Sequence, residues 1–152
     1  MASTWVVVAD RSAARIFKAA TPTGGLDELE SLVHPEGRMR AQDLTSDLPG
    51  RAFDSKGKGR HAMESEVGPR AHEAIAFARE LAGRMAAARS RGEIERLVLV
   101  AAPEFLGLLR EALGGGTRRL VEAEFALNLV KMTPAAIRSR LPDKLYSTLA
   151  PR

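Results

Sequence analysis

Two stretches of this chain run apolar at successive positions rather than at every second one: Trp5 to Ala9 reads WVVVA, and Arg96 to Ala102 reads RLVLVAA, apolar after its first residue. Both are short and rich in β-branched residues, so each predicts a strand buried on both of its faces. They are expected in one sheet, because only a doubly covered sheet hides such strands from water. After the first run, Asp10-Arg11-Ser12 supplies turn formers, and Ala14 to Ala19 resumes as a second strand in which Arg15 and Lys18 offer polar faces. Thr21-Pro22-Thr23-Gly24-Gly25 makes the next turn. Leu26 to His34 is read as a third strand, although Leu26, Leu29, Leu32 and Val33 also suit a helix.

The pattern then changes period. Gly68-Pro69 offers an N-cap glycine followed by proline at the first helical position, where no amide donor is needed. Ala74, Phe77, Ala78, Leu81, Met85 and Ala88 follow at helical spacing as one apolar stripe, and Gly92 is placed to stop the helix. Pro103 opens a further helix with Phe105, Leu106, Leu108, Leu109, Ala112 and Leu113, and Gly114-Gly115-Gly116 is expected to end it. Val121, Ala123 and Phe125 alternate with Glu122 and Glu124, which predicts a strand with one wet face. Thr133-Pro134 caps a short last helix to Leu141, stopped by Pro142. The expectation is a single α/β domain over residues 1–152. An antiparallel N-terminal hairpin or meander joins a parallel half, giving a mixed sheet flanked by helices.

Residues 38–68, RMRAQDLTSDLPGRAFDSKGKGRHAMESEVG, interrupt this order with neither helical nor strand periodicity. A connection this long is uncommon in a compact domain and is usually functional or disordered. It has almost no branched apolar residues to offset the ordering entropy of its backbone, so a flexible loop is expected, carried on a rigid scaffold as the working surface. Lys56-Gly57-Lys58-Gly59-Arg60 lacks the GxxxxGKS or GxxxxGKT spacing of a P-loop. Three cations in five residues with no aromatic between them suit a phosphate backbone better than a stacked base, and the glycines permit close backbone approach. Arg51, Lys56, Gly57, Lys58, Gly59, Arg60 and His61 are therefore the candidate contacts to RNA or another partner, with His61 able to pair with a phosphate or act as an acid.

Composition narrows the chemistry. The absence of cysteine excludes disulfides, thiol catalysis and thiolate metal sites. No run approaches the roughly 20 apolar residues of a membrane span, and the opening MASTWVVVADR has no basic n-region, so a cytoplasmic protein without a membrane partner is expected. The net charge of +4 comes from the end of the chain, where Lys131, Arg138, Arg140, Lys144 and Arg152 face Asp143 alone. That basic end reads first as a solvated face. Asp10 closes a buried strand and could hold a divalent metal if the loop carboxylates Asp43, Asp47 and Asp54 converged on it, but its neighbours make a turn-initiating aspartate the better reading. His34, His61 and His72 lie far apart with no HExxH, so neither zinc nor any other cofactor is called for.

The segments WVVVADRSAARIF, LVHPEGRMRAQDLTSDLPGRAFDSKGKGRHAME and RLVLVAAPEFLGLLR, with the helix start at Pro69, together resemble the bacterial host-attachment family, the "protein required for attachment to host cells". That family is in turn similar to the middle domain of the eukaryotic and archaeal class I peptide release factor. The resemblance implies a ribonuclease H-like α/β fold and a loop before a long helix that reaches a ribosomal partner. The release factor's GGQ is missing from the corresponding loop here, so peptidyl-tRNA hydrolysis is not implied. The leading expectation is a non-enzymatic, release-factor-like module that engages RNA or the ribosome through its loop. Two alternatives stand beside it: a metal-dependent, ribonuclease H-like nuclease using Asp10, and a regulatory protein acting on attachment through a protein partner.

Overall fold

The computed structural model describes residues 3–33 and 69–147; the expected loop at 38–68 lies outside them. Among these residues five strands form one sheet: β1 (Ser3–Ala9), β2 (Ala13–Ala19), β3 (Asp27–Val33), β4 (Ile94–Ala101) and β5 (Val121–Ala126). Their order is β3-β2-β1-β4-β5, antiparallel from β3 to β1 and parallel from β1 to β5. The two apolar runs are thus neighbours at the centre of the sheet. Val7 is registered with Ile16 on one side and Leu99 on the other.

Among the described residues four helices accompany the sheet: α1 (Pro69–Ser90), α2 (Pro103–Ala112), α3 (Gly115–Arg118) and α4 (Pro134–Ser139). The side chains of the central strands alternate between two separate cores. Val7, Ile16, Leu97 and Leu99 pack with Phe77, Leu81 and Met85 of α1 and Phe105 and Leu109 of α2. Val6, Val8, Phe17, Val98 and Val100 pack with Leu129, Val130, Ile137, Leu141, Leu145 and Tyr146, so the C-terminal segment covers the other face. This is a mixed α/β sheet covered on both faces. It explains why Trp5–Ala9 and Leu97–Ala101 lack polar alternation: neither of their faces meets water.

Two expectations are corrected. The glycines after α2 do not simply end a helix. Gly114 is the N-cap and Gly115-Gly116 the first turn of α3, where Gly116 lies against the Arg89 guanidinium, 2.8 Å from where a Cβ would sit. In β5 the alternation of Val121, Ala123 and Phe125 does not define one dry face. The register slips between Leu97 and Val98, pairing Leu97 with Val121 but Val98 with Ala123. Val121 consequently joins the helical core and Phe125 the opposite one, as a bulge at Glu122 requires. The strand expected over Leu26–His34 is present as Asp27–Val33 and lies at the edge of the sheet: only Leu32 in it is buried, and Leu29 and Val33 are 49% and 53% exposed.

Chain direction decides where the 34–68 connection is attached. The turn Arg91–Glu93 links the end of α1 to the start of β4, with Glu93 N–H donating to the Ala88 carbonyl at 2.9 Å. Near its other end, Phe77 of α1 meets Phe105 in the first turn of α2, ring centroids 5.9 Å apart, just beyond the carboxyl end of β4. Helix α1 therefore runs antiparallel to β4 and begins at that carboxyl end. Strand β3 finishes there too, because Val33 is registered with Ala13 beside the β1–β2 turn.

Candidate functional site

In open α/β sheets ligands bind beyond the carboxyl ends of the parallel strands, where loops converge. That edge here is made by Asp10 after β1, Ala102-Pro103 after β4 and the segment after β5. Val33 and Pro69, the described residues that flank the 34–68 connection, belong to the same edge. Of the residues expected to bind RNA or a partner, Arg51, Lys56, Gly57, Lys58, Gly59, Arg60 and His61 lie outside the described residues. His72, in the first turns of α1, is exposed.

Asp10 is described, and its carboxylate serves the turn. Oδ1 accepts the backbone N–H groups of Ser12 at 2.8 Å and Ala13 at 2.9 Å, while the Asp10 N–H donates to the Ala13 carbonyl at 2.9 Å. These bonds close the β1–β2 hairpin, as expected of an aspartate at the first position of a tight turn. Among the described residues no group of three or more carboxylate or imidazole side chains is arranged to hold a metal ion.

Arg15, read from the sequence as part of a polar strand face, ties the edge strand and the C-terminal segment to β2. Its Nε and Nη2 donate to both carboxylate oxygens of Glu28 on β3 at 3.0 and 2.9 Å. Its Nη1 donates to the Val130 carbonyl at 2.9 Å and to that of Met132. The hydrogen bonds from Arg15 hold the Glu28 carboxyl below its usual pKa, and Glu28 raises that of Arg15 in return. Arg138 corrects the reading of the basic end as wholly solvated. Its guanidinium donates to the carbonyls of Gly24, Pro22, Pro142 and Asp143 at 2.8, 3.2, 2.8 and 2.8 Å, clamping the β2–β3 turn to the segment after α4.

The opposite, amino-terminal edge carries a cleft that sequence reading did not find. Ser3, Thr4, Lys18, Ala19, Ala20, Glu95, Arg96 and Tyr146 line a cleft of about 240 Å³. Thr4 is registered with Ala19 on β2 and Arg96 on β4, so all three share one face of the sheet. Arg96 stacks over the Tyr146 ring, 4.8 Å from its centroid, and the Tyr146 hydroxyl donates to the Ala19 carbonyl at 3.3 Å. Nothing in the spacing of Thr4, Lys18, Arg96 and Tyr146 along the chain signals their meeting; pairing of β1, β2 and β4 brings them together.

A family model described as "Protein required for attachment to host cells" matches residues 5–141. The chain belongs to that family. The match runs from Trp5 in β1 through all five described strands to Leu141 after α4, so it takes in the sheet and most of both cores. No curated protein matches this attachment-family chain. Among solved structures it is similar to an archaeal translation termination factor, with a TM-score of 0.42 and 12% identity over 93% of this chain and 35% of that one. A second is the Ppx/GppA phosphatase of Aquifex aeolicus, with a TM-score of 0.38 and 16% identity over 81% of this chain. The attachment-family chain spans 35% of the length of each.

Proposed function

We propose that this attachment-family protein is a non-enzymatic binding module that engages RNA, in isolation or on the ribosome, through Arg51, Lys56, Gly57, Lys58, Gly59, Arg60 and His61. The observation that carries the reading is the placement of both flanks of that segment. Val33 closes β3 and Pro69 opens α1 at the carboxyl edge of a sheet whose two faces are sealed by separate cores. A segment with three cations in five residues is thus tethered at both ends to a rigid edge, and such a connection contributes recognition rather than core. The engagement of Asp10 in its turn supports binding over metal-dependent cleavage.

A salt titration tests it. Each phosphate contact contributes roughly 0.7 to the log–log salt slope for a single strand and 0.9 for a duplex. Replacing Lys56, Lys58 and Arg60 together by alanine should flatten the slope for tRNA and ribosomal RNA by about two to three units, across unrelated sequences. An unchanged slope, or no binding by the wild-type protein at low salt, overturns the RNA reading and leaves a protein partner as the explanation of the family's attachment phenotype.

A further inference from the structure

We propose that β3 is a self-association edge: two copies of this chain pair their β3 strands antiparallel about a two-fold axis at Ser31, joining their sheets into one. Strand β3 ends the order β3-β2-β1-β4-β5, and no described strand pairs with its outer side. An open edge is a row of backbone N–H and C=O groups able to take a further strand. Among the described residues the exposed large hydrophobic side chains are Leu29 and Val33, both on this strand. Glu30 pairs with Arg84 of α1 and Leu32 is buried in the core beneath α1, so strand alternation puts Leu29, Ser31 and Val33 together on the other face.

Charge and register select a second copy as the occupant. Charged side chains commonly guard an edge against pairing, but the glutamates of this one are engaged within the chain, Glu28 by Arg15 at 2.9 Å and Glu30 by Arg84. Much of the repulsion between two copies is thereby neutralised. A two-fold axis at Ser31 sets Leu29 of each copy opposite Val33 of the other, with the two serines facing between them and each Glu30 opposite Leu32. Moving the axis to Glu30 opposes two glutamates, moving it to Leu29 opposes Glu28 to Glu30 twice, and moving it to Leu32 sets Val33 against serine. The slip of β3 against β2 falls between Glu28 and Glu30, so Glu30 to Val33 keep an even register around the axis. The strand is thus complementary to its own antiparallel copy, as an isologous contact requires. One strand pair falls below the roughly 800 Å² per partner of a standard interface, so a weak, concentration-dependent dimer is expected.

The test is sedimentation velocity of the full chain from micromolar to millimolar concentration, where a reversible monomer–dimer equilibrium is expected. Leu29→Lys alone and Val33→Glu alone, both at positions already half exposed, should each weaken the dimer about tenfold. Combined in one chain they set lysine opposite glutamate twice across the axis and should restore it. The chain has no cysteine, so Ser31→Cys places a single thiol on the axis and should cross-link to its own copy under mild oxidation. Leu29→Cys, offset from its own copy by four residues or about 13 Å of strand, should not. The triple alanine variant at Lys56, Lys58 and Arg60 should associate like wild type, so this reading and the RNA reading fail independently. An equilibrium unchanged in both single variants, no recovery in the double variant, or equal cross-linking at the two cysteine positions overturns the proposal. So does a wild-type chain that stays monomeric throughout, the outcome expected if other residues of the same chain or an unrelated protein take the edge.

Discussion

Arg138→Met removes a guanidinium that reaches four backbone carbonyls while keeping most of the apolar stem. The acceptors are not equivalent. The bonds to Pro142 and Asp143 are solvent-exposed, so water replaces the lost donor there at little cost. Those to Gly24 and Pro22 are partly buried, in the turn against which the C-terminal segment packs. An unsatisfied buried acceptor costs roughly 1–3 kcal/mol, so two partly buried ones put the variant about 2–4 kcal/mol below wild type. For a domain of this size a loss of that order lowers the melting temperature by roughly 5–15 °C. Thermal and urea unfolding of Arg138→Met against Arg140→Met, a neighbouring exposed arginine, isolates the effect; the latter should stay within about 0.5 kcal/mol of wild type. Because the acceptors are neutral carbonyls, the deficit should persist in molar salt, which would erase an ion-pair contribution. Equal melting temperatures for the two variants, or a deficit that vanishes in salt, would refute the clamp.

Leu99→Ala, at a fully buried position of β4 between β1 and β5, should cost about 2–5 kcal/mol by chemical denaturation, since the doubly covered sheet cannot collapse onto the cavity; a loss under 1 kcal/mol would contradict this packing. Gly83→Ala in mid-α1, where an added methyl meets nothing within 4 Å, should stabilise by roughly 0.5–1 kcal/mol. Gly116→Ala should not: its methyl displaces the Arg89 guanidinium from its 3.2 Å bond to the buried Thr117 hydroxyl, and the melting temperature should fall. Glu28 has its folded-state pKa lowered by Arg15, so its contribution is present above the unfolded carboxylate pKa and lost as pH falls through the folded one. The stability gap between wild type and Glu28→Gln should therefore be largest at neutral pH and close in acid; a gap that widened on acidification would reverse the assigned sign.

The sheet and its layers were legible in the chain because burial writes itself into composition. WVVVA and LVLVA have no wet face, and the helix from Pro69 carries its apolar stripe at the right period, so the strand–helix–strand half needed no tertiary information. The turn role of Asp10 was equally local, depending on amides two and three residues away. What the chain could not disclose depends on pairing between distant strands. The bulge at Glu122 exists only as a slip against β4, and it sends Val121 and Phe125 to opposite cores despite their matching alternation. Gly114-Gly115-Gly116 reads as a stop in isolation, yet Arg89, some thirty residues earlier, is what requires the missing side chain at Gly116. Arg15 and Arg138 read as polar surface because a long cationic side chain has the same composition wherever its head points. Only the fold determines that Arg138 meets backbone carbonyls, that Arg15 meets Glu28, and that Arg96 sits over the Tyr146 ring. Periodicity records how much of each residue is hidden; it carries no record of which distant atom completes a hydrogen bond, and that is where the tertiary structure decided this protein's clamps and its amino-edge cleft.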